Sequence, residues 1–158
     1  GHNGEGKQEQ KGSEDTITIE HMLNQTDCLW SHILNIRLLP YGLTDATWQP
    51  LLELKRQNRP MHQKDIAEAL FLDKSSVVRT LRNLELQGLI TRVPDKNDTR
   101  AHYIVITDEG NKRIEYVLKI ASEVENEVIQ KLSDHKNFRP LLEEVYSVVK
   151  DISGHYRI

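Results

Sequence analysis

Between Met61 and Gly110 the hydrophobic period of the sequence changes twice, from helical spacing to alternation and back to helical spacing. Arg59-Pro60 blocks helix ahead of this stretch, because the residue before a proline is pushed out of the α region. From His62 to Leu70, Ile66, Ala67 and Leu70 share one helical face, which predicts a short helix. Phe71-Leu72 makes an apolar turn. Asp73 then stands at an N-cap position, where its carboxylate can accept from the open amides of the next turn.

A second helix is predicted from Lys74 to Gln87, ended by Gly88 as the residue just past the helix. Val77, Leu81 and Leu84 recur at i, i+4 and i+7 and must face a core, which turns Ser75, Ser76, Arg79 and Arg82 outward. After Gly88, the runs Leu89–Val93 and His102–Ile106 are β-branched and aromatic with partial alternation. They flank the polar segment Pro94–Arg100, so the pair reads as a β-ribbon with a charged tip. Two short helices, a ribbon and the start of a further helix make a winged helix-turn-helix.

A length of 158 residues suits one domain of ordinary size, able to bury a core without covalent staples. The single cysteine, Cys28, excludes an internal disulfide framework and fits a reducing cytosol. No apolar run approaches the roughly 18 residues a membrane span needs, and the start of the chain lacks a signal-peptide core. The expectation is a cytoplasmic protein that does not engage membranes.

The net charge of −3 conceals an asymmetry. Residues 55–103 carry ten Lys and Arg against six Asp and Glu, while the segments on either side are net negative. Positive charge is concentrated where a winged helix would meet DNA, and neutralising phosphates would supply most of its non-specific affinity.

Residues 1–15 contain no large apolar side chain and are expected to form a disordered tail, with Gly1-His2 a possible tag remnant. From Ile17 to Leu39 apolar residues spread over more than one helical face, so that helix contacts its own core and something beyond it. Thr44 caps a helix from Asp45 to about Gln57, in which Pro50 predicts a local bend. Thr107 caps a long helix carrying Ile114, Val117, Leu118, Ala121, Val124, Val128 and Leu132. A last helix begins near Pro140, with Leu141, Leu142, Val145, Val148, Val149 and Ile152 as its stripe.

The expected class is therefore mainly α with a small antiparallel β-ribbon. Residues 44–107 form the winged helix-turn-helix, and residues 16–43 and 108–158 a helical dimerisation region. The outer helices are too apolar to be used up on a DNA-binding unit, and a homodimer would read a palindromic site on double-stranded DNA.

The ordered segments LTDATW, IAEAL, LDKSSVVRTLRNLE, QGLITR, DTR and ITDEG together resemble the MarR/SlyA family of bacterial transcriptional regulators, over roughly residues 20–153. The resemblance implies a dimer of six-helix subunits that usually represses transcription and is often released by small phenolic or aromatic carboxylate ligands. It also implies a recognition helix in the major groove, at Ser75, Ser76 and Arg79, and a wing arginine in the adjacent minor groove, at Arg100. The sequence departs from the family pattern at Pro50 and at His62, where Thr or Ser is commoner.

The residues support such roles in their own right. Arg79 has the geometry for a bidentate contact to guanine, Arg82 and Lys74 reach toward phosphates, and Ser75 and Ser76 offer hydroxyls and amides in the first turn. Arg92 lies on the ribbon beside them. Arg100 suits the enhanced negative potential of a narrow minor groove. Asp98 is read as structural, through an Asx turn or an ion pair with Arg92 or Arg100.

An effector site is read at Trp30, Arg37, Tyr41 and Trp48, where a guanidinium shares a stripe with large apolar groups and would meet either a neighbouring carboxylate or that of an aromatic ligand. Cys28 is read mainly as a packing residue, since Asp27 does not activate a thiol and Trp30 points to burial; a redox-sensing role is the alternative. A second alternative is a winged helix that binds a partner protein. No metal-ligand spacing, phosphate loop, nucleophile elbow or paired-carboxylate constellation occurs, so no cofactor, metal or catalytic residue is expected.

Overall fold

The computed structural model describes residues 16–98 and 100–156, and the expectation for residues 1–15 lies outside them. Among the described residues six α-helices and three strands follow in the order α1 (Ile19–Leu38), α2 (Asp45–Gln57), β1 (Met61–His62), α3 (Gln63–Ala69), α4 (Lys74–Leu86), β2 (Ile90–Pro94), β3 (His102–Ile106), α5 (Asp108–Gln130) and α6 (Phe138–Gly154). The protein is mainly helical with a small antiparallel sheet. No helix among the described residues is long and apolar enough to cross a membrane.

The chain divides into two compact units at the junction of Val117 and Leu118. The first is built around Leu38, Leu43, Leu51, Met61, Ile66, Val77, Leu81, Leu84, Leu89, Ile90, Ile104 and Ile114, all fully buried or nearly so. Each such side chain contributes about 1.5–3 kcal/mol by leaving water, so the three from α4 alone hold the recognition helix firmly to its support. The period that pointed Val77, Leu81 and Leu84 inward is the reason the opposite face of α4 is free.

Both helices of the helix-turn-helix end in the same way. At the end of α4 the amide of Leu89 donates to the carbonyl of Leu84, and that of Gly88 to Glu85, each at 3.0 Å, with Gly88 at φ +74. At the end of α3 the amide of Leu72 donates to Ala67 at 3.0 Å and that of Phe71 to Glu68 at 3.3 Å. Here the left-handed residue is Phe71, at φ +54, and its ring is 96% exposed. The apolar turn of the sequence is thus a glycine-type helix stop built with an aromatic residue.

The ribbon is three-stranded, in the order β1-β3-β2, rather than two-stranded. β2 pairs antiparallel with β3, Ile90 opposite Ile106 and Pro94 opposite His102, and β1 adds Met61 opposite Ile104 and His62 opposite Tyr103. Two residues after Pro60 are too few to show alternation, so β1 leaves no periodic trace in the sequence.

α2 runs unbroken through Pro50, which is buried. Thr44 occupies the N-cap position, but its hydroxyl meets that of Thr47 at 3.1 Å instead of capping an amide. α6 starts at Phe138, two residues ahead of expectation, which leaves Pro140 in the first turn. On α1, Ile19, Met22, Leu23, Leu29, Ile33 and Ile36 are exposed within the chain, and in the second unit so is the α6 stripe of Leu141, Leu142, Val145, Val148, Val149 and Ile152. Cys28 is exposed as well, which corrects its reading as a packing residue: the helix sets it on a flank that this chain does not cover.

Candidate nucleic-acid interface

α4 begins at Asp73, whose Oδ1 accepts the amide of Ser76 at 2.7 Å. Hydrogen bonds from the Ser76 amide and then its hydroxyl, helped by the charge of Arg79, hold the Asp73 carboxyl below the ordinary carboxylate range. The Ser76 amide is therefore occupied by its own cap, and Ser76 is half-buried, while Lys74 and Ser75 are exposed. Arg79 and Arg82 are exposed on the face opposite Val77 and Leu81. Among the described residues neither arginine forms an ion pair within 4 Å.

The wing tip is shaped by two aspartates acting on backbone amides. Asp98 Oδ1 accepts from the amide of Arg100 at 3.0 Å, and the Asp98 carbonyl accepts from Ala101 at 3.1 Å. Asp95 Oδ1 accepts from Asn97 at 2.8 Å, and the Asp95 amide donates to the Ala101 carbonyl at 3.1 Å. These turns present Arg100 to solvent. Of the two structural roles read for Asp98, the Asx-type turn is the one these bonds describe.

Arg92 is placed differently from the other basic candidates. It is half-buried, and its Nε lies 3.2 Å from Glu85 Oε2, so it joins β2 to the last turn of α4. That pairing leaves it less available to a phosphate than Arg82 or Arg100.

One cluster has no counterpart in the sequence reading. His62 heads α3, where its amide donates to Asp65 Oδ2 at 3.1 Å. Its Nε2 lies 3.3 Å from Asp95 Oδ2, and its ring lies 4.3 Å from that of Tyr103. Asp95 is 8% exposed although it sits in a polar loop. The sequence signal available was Pro94-Asp95 at the mouth of the ribbon, where an aspartate ordinarily organises a turn. Beside the cluster a concavity of about 580 Å³ is bordered by Lys64, Asp65, Arg92, Asp98, Arg100 and His102.

The residues read as an effector site are largely committed within the fold. Trp48 is 6% exposed and donates from Nε1 to Asn35 Oδ1 at 3.0 Å, joining α2 to α1. Tyr41 stacks on Tyr116 with centroids 4.9 Å apart. Trp30 and Arg37 are half-buried on α1. No group of three or more His, Cys, Asp or Glu able to hold a metal occurs among the described residues.

Residues 41–101, from just after α1 to the tip of the wing ahead of β3, match the sequence profile of the MarR family. Among solved structures, a transcriptional regulator designated PA3341 is 28% identical, with 88% of this chain and 100% of that one covered at a TM-score of 0.78. MepR of S. aureus, solved as a complex with DNA, is 26% identical, with 85% and 96% covered at 0.70. CouR of Rhodococcus jostii, solved with p-coumaroyl-CoA, is 20% identical, with 89% and 94% covered at 0.72, and shares the fold.

Proposed function

We propose that the chain is a DNA-binding transcriptional regulator of the MarR type, to whose profile and solved structures it is similar, and that it works as a homodimeric repressor that reads a palindromic operator and is released by a small phenolic or aromatic carboxylate ligand. The observation that carries this reading is the recognition helix. Its apolar stripe is spent on the core, while Arg79 and Arg82 project outward without ion pairs among the described residues. An arginine set in this way can engage O6 and N7 of a guanine from the major groove, which discriminates bases by about 1–3 kcal/mol.

The wing carries the second contact. Arg100 enters the adjacent minor groove, Lys74, Ser75, Ser76 and Arg82 serve phosphates, and Arg92 braces the wing through Glu85 while adding its charge to the surface. That MepR was solved with DNA supports DNA binding, as does the excess of basic residues between 55 and 103. The exposed apolar stripes on α1 and α6 support self-association, because stripes of that length are seldom left to water. The effector read for the chain is a small phenolic or aromatic carboxylate, and CouR, which shares the fold, was solved with p-coumaroyl-CoA. Within this chain the residues read for that site are Trp30, Arg37, Tyr41 and Trp48.

The test is a mobility shift on the DNA that flanks the protein's own gene, read across a salt series. Specific binding that falls steeply with salt, and that Arg79→Ala reduces to the level of random duplex, is the expected result. Undiminished specific binding by Arg79→Ala would defeat the assignment of the recognition helix.

A further inference from the structure

We propose that His62 is a positioning residue for DNA binding: through Asp95 it struts the wing against the helix-turn-helix and so sets the order of the wing. Three bonds meet at this residue. Its backbone belongs to β1 and pairs with Tyr103 of β3, its amide is tied to Asp65 of α3, and its imidazole reaches Asp95 at the base of the wing tip.

Asp95 gives the strut its chemistry. A carboxylate this far from water must be paired or hydrogen-bonded. One oxygen of Asp95 is satisfied by the amide of Asn97, and the other faces His62 Nε2 at 3.3 Å. A neutral imidazole can donate one hydrogen bond there; a protonated one donates a charge-assisted bond, roughly twice as strong. Because the amides of Asn97 and Asp95 fix the two sides of the tip loop, tightening the carboxylate tightens the loop that presents Arg100.

Other charged and titratable groups face the same place. They are Lys64 and Asp65 from α3, Arg92, Asp98 and Arg100 from the wing, and His102 and Tyr103 from β3. Of these, His102 is a second imidazole, so a test on affinity alone would not separate the two histidines. Asp95 is the discriminating partner, since its Oδ2 lies 3.3 Å from His62 Nε2.

The bond from the imidazole to the Asp95 carboxylate is what holds the base of the wing tip to α3 and β1. The consequence for operator affinity rests on the DNA-binding reading above; the consequence for the wing does not.

The experiment is hydrogen exchange on the free protein, corrected for the intrinsic pH dependence of exchange, with His62→Ala, His62→Gln and Asp95→Asn. His62→Ala and Asp95→Asn are expected to lower protection of the Asn97 and Arg100 amides by about tenfold, the effect of losing one hydrogen bond to a charged group, while the amides of α4 keep theirs. His62→Gln, which can still donate, is expected to restore most of the protection. On DNA, His62→Ala is expected to weaken binding in the wild-type background and to cost nothing further in Arg100→Ala. Wild-type protection at Asn97 and Arg100 in both His62→Ala and Asp95→Asn, or a loss in His62→Gln as large as in His62→Ala, would overturn the proposal. Failure of the wild-type protein to bind any duplex would count against the regulator reading alone, since the exchange result decides the strut without DNA.

Discussion

The hydroxyl of Thr107 donates to the carbonyl oxygen of Gly88 at 2.6 Å and accepts from the amide of Gly110 at 3.1 Å. One side chain thereby closes the end of the recognition helix and opens α5. Thr107→Val, which keeps the shape and removes both bonds, is expected to destabilise the fold by about 1–3 kcal/mol, the combined effect of a lost cap and an unpaired carbonyl. Thr107→Ser should recover most of it. Urea unfolding of the two variants checks the difference.

Gly110 permits no side chain. A Cβ there would overlap the carbonyl oxygen of Leu89 and Cγ1 of Ile106, and that carbonyl already accepts from the Thr107 amide at 3.1 Å. Backbone held in this way cannot step aside as a flexible side chain would. Gly110→Ala is expected to cost about 1–3 kcal/mol through overpacking, despite the better helix propensity of alanine. A rise in the thermal midpoint of this variant would contradict the packing described.

Asp73 sets the pH response of the recognition helix. Its folded carboxyl lies below the ordinary range, chiefly through the Ser76 amide, so its contribution is present above the unfolded value and is lost as pH falls through the folded one. Asp73→Ala should therefore have a lower thermal midpoint than the wild type at neutral pH. The gap should narrow in acid, below the range in which free carboxylates titrate. Parallel melts from neutral to strongly acidic pH would show whether the two curves converge.

Phe71 is a left-handed residue whose ring covers almost nothing. A non-glycine residue in that region carries about 1 kcal/mol or more of strain. Phe71→Gly should accordingly be neutral to stabilising, by up to about 1 kcal/mol once the entropy of the unfolded glycine is set against the strain relieved. A loss of more than that on calorimetry would mean the ring has a partner in solution.

Arg82 and Arg100 should separate by the kind of DNA contact they lose. Arg82→Ala is expected to weaken all duplexes alike and to lower the salt slope by about 1, as for one phosphate contact. Arg100→Ala should discriminate, with its largest effect on sites whose flanks are A·T-rich and narrow in the minor groove. Equal losses on G·C-rich and A·T-rich flanks would argue against minor-groove insertion.

What the sequence disclosed was whatever repeats or punctuates. Val77, Leu81 and Leu84 recur at helical spacing, Asp73 and Gly88 bracket them, and the ribbon strands are rich in branched and aromatic residues, so the helix-turn-helix and wing could be traced nearly to the residue. β1 could not, because two residues hold no period and their partner lies some forty positions further on. Local rules also leave out partners that are distant in sequence. Trp48, read for a ligand site, donates its indole N–H to Asn35, and Arg92, read for DNA, pairs with Glu85. Cys28 was assigned to the interior from its neighbours in sequence, when the turn of the helix places it outside. The His62–Asp95 pair combines both difficulties: each residue sits in a locally unremarkable context, and only the folding of the ribbon onto α3 brings them together.

Cys28 is the sole cysteine of the chain and it faces solvent. A spin label or fluorophore coupled to its sulfur would mark every molecule once, at the same point on α1. Any separation recorded between two such reporters must then span two molecules, so the chain carries its own ruler for whether, and how closely, its copies come together.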